Sequence, residues 1–152
     1  MSNSTKGMLA GLIATLVLSA LMWAKSSMGV APELNLITLL TNLGSIGTVA
    51  AWMDHFIVGV VVWGLLYAAF DAVADTWPHW FKGLVFGTFT WLLMMILFMP
   101  LAKAGFFGAK MGWHAPAVTL IYHLVYGVVL GVSYGLLTTW VPAKAPEGST
   151  RA

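Results

Sequence analysis

Four apolar runs, separated by polar or glycine-containing stretches, set the limits on what this chain can fold into. They lie at about Gly7 to Ala24, Thr48 to Ala72, Gly83 to Met99 and Pro116 to Thr138. Roughly 20 apolar residues in a helix cross the hydrocarbon core of a bilayer, where every backbone polar group must be bonded within its own segment. The runs therefore predict an all-α integral membrane protein with four transmembrane helices. Composition agrees, with 60% hydrophobic and 8% charged residues, against about 25% charged in a soluble domain. The seven basic residues are scattered singly, which excludes a nucleic-acid footprint, since that needs clustering. Without cysteine, disulfides, thiolate metal sites, Cys nucleophiles and covalent c-type haem attachment are excluded as well.

The 152 residues suit one four-helix domain over 1–141, with a disordered tail over 142–152. A lone Lys6 before the first run resembles a secretory signal, but bulky Leu21, Met22 and Trp23 stand where a small-residue cleavage site belongs, so the helix is expected to be retained. The segment after it, Glu33 to Ala51, is too polar to span. Its part over 34–43 is amphipathic and predicts a short interfacial or re-entrant helix, broken by Gly44 and Gly47. Asp71 to Lys82 reads as a turn with interfacial aromatics. Pro100 is expected to stop or kink the third helix, and Pro116 suits the first turn of the fourth. Met94, Met95 and Met99 read as apolar filler rather than a copper path.

The two halves of the chain echo each other. Lys6-Gly7-x-x-x-Gly11 matches Lys82-Gly83-x-x-x-Gly87, and His55-x-x-x-Gly59 matches His123-x-x-x-Gly127. Repeat one covers 6–78 and repeat two 82–142, with the polar insert at Glu33 to Ala51 in the first copy only. Each copy holds two spans, so both enter the membrane from the same side, giving two tandem helical hairpins in parallel orientation. Lys6, Lys82, Lys144 and Arg151 then share one side, and Lys25, Lys103 and Lys110 the other. That balance favours both termini in the cytoplasm and leaves His79 alone at the cytoplasmic edge.

A His at membrane depth is costly enough to need a reason. His123, Gly127, Gly131 and Gly135 fall on one helix stripe, and His55, Gly59, Trp63 and Tyr67 on another. Such stripes pack helices, as expected for Gly7, Gly11, Gly83, Gly87, Gly127, Gly131 and Gly135. A His above glycine also looks like an axial haem ligand, so His55, His123, Gly59 and Gly127 are candidates to hold haem b. A polar group near the outer face, Glu33, Asp54, His55, His114 and His123 with Tyr122 nearby, offers imidazole and carboxylate for a metal or for proton transfer. None of these His pairs stands at i, i+3 or i, i+4. The plainer reading has Asp54 capping a helix or pairing with a nearby His or Lys.

The runs GMLAGLIATLVLSALM, PELN, HFIVGVVVWGLLYA and KGLVFGTFTWLLMMILFMPLAKAGFFG resemble the small bacterial four-span proteins of uncharacterised families related to the YagU-like inner-membrane proteins, over about Lys6 to Leu137. That resemblance implies a helical protein of the bacterial inner membrane with no assigned activity, and it transfers no functional residue. With no catalytic triad, paired catalytic carboxylates or phosphate loop in the sequence, the expectation is a non-enzymatic accessory or assembly subunit beside a larger membrane complex, for example a respiratory one. Its partners would be lipid, other membrane subunits or further copies of itself. The alternatives are a haem b or metal-binding protein using His55 and His123, and a small transporter or proton conductor using Asp54 and the outer His residues.

Overall fold

The computed structural model describes residues 1–30, 34–74 and 76–139. Its elements are five helices: α1 (Asn3–Ser27), α2 (Leu36–Gly44), α3 (Thr48–Val73), α4 (His79–Leu101) and α5 (Ala115–Thr139), with a 3-10 segment over Phe106–Met111 between the last two. The four long helices are each apolar and long enough to cross a membrane. Glu33 and the tail from Trp140 lie outside the described residues.

The ends of the helices follow from local chemistry. Ser2 caps α1, its hydroxyl accepting from Thr5 N, and Asn35 caps α2 by accepting from Thr38 N, each satisfying an amide that has no helical partner. Ser45, at φ 50, ends α2 in the left-handed conformation. Pro100 stands one residue before the end of its helix, in keeping with the stop or kink expected from sequence. A π-helical stretch over Met94–Phe98 precedes it, and α4 continues to Leu101. The looser ladder there accommodates a residue that lacks an N–H.

α3 carries a second π-helical stretch, Ile57–Val62, and it redraws the stripe expected from sequence. One extra residue in the turn moves Gly64 and Ala68 onto the face that a regular helix would give to Trp63 and Tyr67. A Cβ on Gly7 would meet the Gly64 carbonyl oxygen and, at 2.9 Å, the Ala68 Cβ. Trp63 and Tyr67 turn elsewhere, Tyr67 into the core with Phe86, Tyr126, Leu130 and Tyr134.

Two hairpins result. α1 packs on α3 through Gly7 and Gly64 and through Gly11 against Gly59, whose carbonyl oxygen lies 2.8 Å from where a Gly11 Cβ would stand. α4 packs on α5 through Gly83 and Gly87 against Gly127 and Gly131, with the His79 carbonyl against Gly131. Without side chains at these points the backbones approach closely, which is how helices gain van der Waals contact in a solvent as apolar as their own side chains. α1 also packs along α5. α3 and α4 are joined by aromatic side chains, Phe86 standing 5.5 Å from Tyr67 and 6.1 Å from both Trp63 and Phe70 between ring centres. Met95 and Met99 are fully buried with Ala104 beneath Leu39 of α2, the adaptable filling for which methionine suits.

Candidate functional site

The wider separation of α3 and α4 leaves a cavity of about 420 Å³. α3 contributes Asp54, His55, Val58, Gly59 and Trp63, and α4 contributes Thr90, Leu93, Met94, Leu97, Phe98 and Leu101. Thr15 and Leu18 of α1, with His123 and Tyr126 of α5, form the remaining wall, while Leu36 and Leu40 of the amphipathic α2 cover one end. Both π-helical stretches found among the described residues border this space. Such turns are rare and recur at functional sites.

The two membrane-depth histidines both line the cavity, but their bonding differs. His55 is 6% exposed, and its Nε2 lies 3.1 Å from Ser19 Oγ. Ser19 donates its only proton to the Thr15 carbonyl at 2.8 Å, so the His55 Nε2–H is the donor to Ser19. The ring is held edge-on to Trp52 and Phe56, each 5.6 Å away. In His123 it is Nδ1–H that donates, to the Thr119 carbonyl at 2.8 Å. Its Nε2 is left as an acceptor without a hydrogen bond among the described residues. Thr119 itself is fixed by bonds to the Ala115 carbonyl and from the Trp91 indole, at 2.7 and 3.2 Å, so the ring rests on a rigid turn.

Asp54 is exposed and lines the cavity. It neither caps α3, whose N-cap is Gly47, nor pairs with any described His or Lys. His114 stands apart at the head of α5, with its ring 6.0 Å from Trp113. Tyr122 borders a smaller space of about 50 Å³ that also touches His123. Among the described residues no group of three or more His, Cys, Asp or Glu gathers as a metal ion would need.

The glycine stripes do not face open space. A Cβ on Gly127 would strike the Gly83 carbonyl, and one on Gly59 the Thr15 hydroxyl. Below His123 the groove that sequence offered to a haem macrocycle is therefore taken by α4, whereas Gly59 below His55 meets Thr15 and also borders the cavity. The sequence reading did not pick out Thr15 or Tyr126 as site residues, although Tyr126 stands three residues after His123 and so shares its face. Tyr126 Oη donates to the Gly59 carbonyl at 2.6 Å, inside the π turn, and links α5 to α3.

A second polar group sits at the opposite end of the bundle. His79 is not alone there, as sequence had it. Asp71 Oδ1 accepts from Lys82 Nζ at 2.8 Å and from His79 Nδ1 at 2.7 Å, and Tyr67 Oη donates to the His79 carbonyl at 2.9 Å. Lys82 is only 3% exposed, and such a charge needs a partner of this kind. The group locks the end of α3 to the start of α4.

These features define a class: a polytopic helical protein, glycine-packed within each hairpin, with a cavity between the second and third long helices. Comparison with family models is more particular, since residues 1–144 match the one described as "Family of unknown function (DUF6789)". The chain belongs to that family. Comparisons with curated proteins and with solved structures returned no match.

Proposed function

We propose that this is a non-enzymatic integral membrane protein that holds a lipophilic small molecule in the cavity between α3 and α4. The observation that carries the reading is the cavity itself, about 420 Å³ within the roughly 300–1,000 Å³ of small-molecule sites, apolar with a few convergent polar groups. The two π turns on its wall support it further. To test it, the protein is purified in mild detergent and its bound lipophilic molecules are identified by mass spectrometry. A molecule retained by the native protein and lost when Leu97→Trp fills the cavity is the expected result. Identical profiles for the two would sink the reading.

In the same proposal the protein serves as an accessory or assembly subunit beside a larger complex of the bacterial inner membrane, a role that its small size and glycine-packed helices support. Isolation from native membranes always without a partner would count against that role. The fold is taken as a duplicated hairpin. In support, Gly59 and Gly64 on α3 stand where Gly127 and Gly131 stand on α5, the five-residue step being one residue longer because of the π turn. Beyond that turn Tyr67 matches Tyr134, and their rings lie 5.4 Å apart. The balance of Lys and Arg supports cytoplasmic termini. Because the native chain has no cysteine, Ser2→Cys and Lys110→Cys can each be labelled alone. An impermeant maleimide should reach Lys110→Cys in intact cells and Ser2→Cys only after lysis.

A further inference from the structure

The bonding around the cavity says what kind of head group it would accept. The hydroxyls of Thr15, Thr90 and Tyr126 each donate to a backbone carbonyl, of Gly11, Gly87 and Gly59 at 2.7, 3.0 and 2.6 Å. His55 donates to Ser19 from Nε2. What remains is mostly acceptors: the carboxylate of Asp54, Nε2 of His123 and Nδ1 of His55, against one uncommitted donor, the Trp63 indole. Asp54 is also the one Asp, Glu, Lys or Arg among the described lining residues, and no cation faces it from α1, α2, α4 or α5 within the cavity. A carboxylate at the exposed rim of an apolar space, with no cation paired to it among the described residues, complements a positive partner. Aromatic side chains of Trp63, Phe98 and Tyr126 border the same space, and aromatic faces attract cations too.

We propose that the cavity binds an amphipathic amine. Its ammonium sits at Asp54 and donates one N–H to His123 Nε2, while its hydrocarbon body lies among Leu36, Leu93, Leu97 and Phe98. An ammonium supplies both the charge and the several donors that these acceptors call for, whereas an alcohol supplies one donor and no charge. A fatty carboxylate would bring like charge to Asp54. The assignment rests on the cavity being a ligand site at all.

The test is calorimetric titration of the full chain in zwitterionic phosphatidylcholine nanodiscs, against empty discs, with dodecylamine, dodecyltrimethylammonium, dodecanol and dodecanoate. Saturable binding of dodecylamine about tenfold or more tighter than dodecanol is expected, the scale of a charge-assisted hydrogen bond. Asp54→Asn, at an exposed position that leaves packing untouched, should remove that advantage. His123→Phe should bring dodecylamine down to the affinity of the trimethyl compound, which has charge without N–H. Equal binding of dodecanol and dodecylamine, or an Asp54→Asn protein unchanged towards the amine, overturns the amine assignment and leaves the cavity as a ligand site. No saturable binding of any of the four probes overturns both.

Discussion

The two hairpins use the same parts to different ends. In α4–α5 glycine meets glycine, Gly83 and Gly87 on one side with Gly127 and Gly131 on the other, so backbone opposes backbone along the contact. In α1–α3 Gly7 meets Gly64 in the same way, but at the π turn Thr15 intervenes and Gly59 faces its side chain. The histidines differ accordingly: His55 is tied across its hairpin to Ser19, while His123 is tied to its own helix and keeps Nε2 for something else. Similar sequence positions thus support a structural imidazole in one hairpin and an available one in the other.

The comparison depends first on the two hairpins being held in place, so the largest effect is expected at their shared lock. Asp71→Ala would strand the buried Lys82 and unpair the partly exposed His79, and should destabilise the protein by ~3–5 kcal/mol in a denaturant titration in mixed micelles. A loss under 1 kcal/mol would mean that the hairpins are fixed elsewhere. Next, Gly127→Ala forces a Cβ against the backbone of both Gly83 and Gly87 and should cost ~3 kcal/mol. Gly59→Ala meets the Thr15 side chain rather than backbone, and should cost less, ~1–2 kcal/mol. Equal costs would erase the difference between the hairpins. The smallest effect is spectroscopic. In ¹⁵N-labelled protein His55 should carry its proton on Nε2 and His123 on Nδ1; one tautomer at both sites would break the distinction outright.

Much of this fold is legible in the sequence because the bilayer imposes a simple rule on length and polarity. The four apolar runs and the amphipathic segment before Gly44 all become helices, their limits shifted by a few residues. The glycines at four-residue spacing lie at close helix contacts for the same reason. What sequence could not give is the π geometry. An extra residue in a turn leaves the apolar pattern almost unchanged, so Trp63 and Tyr67 read as members of the His55 stripe when Gly64 and Ala68 hold that face. Nor does sequence show that Lys82, apparently a span-end charge, is buried on Asp71. That pairing brings together residues eleven apart across a turn, and periodicity says nothing about it. The cavity is hidden likewise, because it arises from which pair of helices stays apart.

The π turn in α3 has a consequence for the length of the chain. A regular helix that loses one residue rotates everything beyond the gap by about 100°, which would swing Asp71 away from Lys82. Here the surplus residue is already absorbed locally, so removing Val61 should let the turn relax to an α-helix with Gly64, Tyr67 and Asp71 still facing their partners. The deletion is expected to leave thermal stability within a few degrees of the native protein while flattening the wall at Val58 and Gly59. If it does, this is a residue the bundle can do without and the cavity cannot.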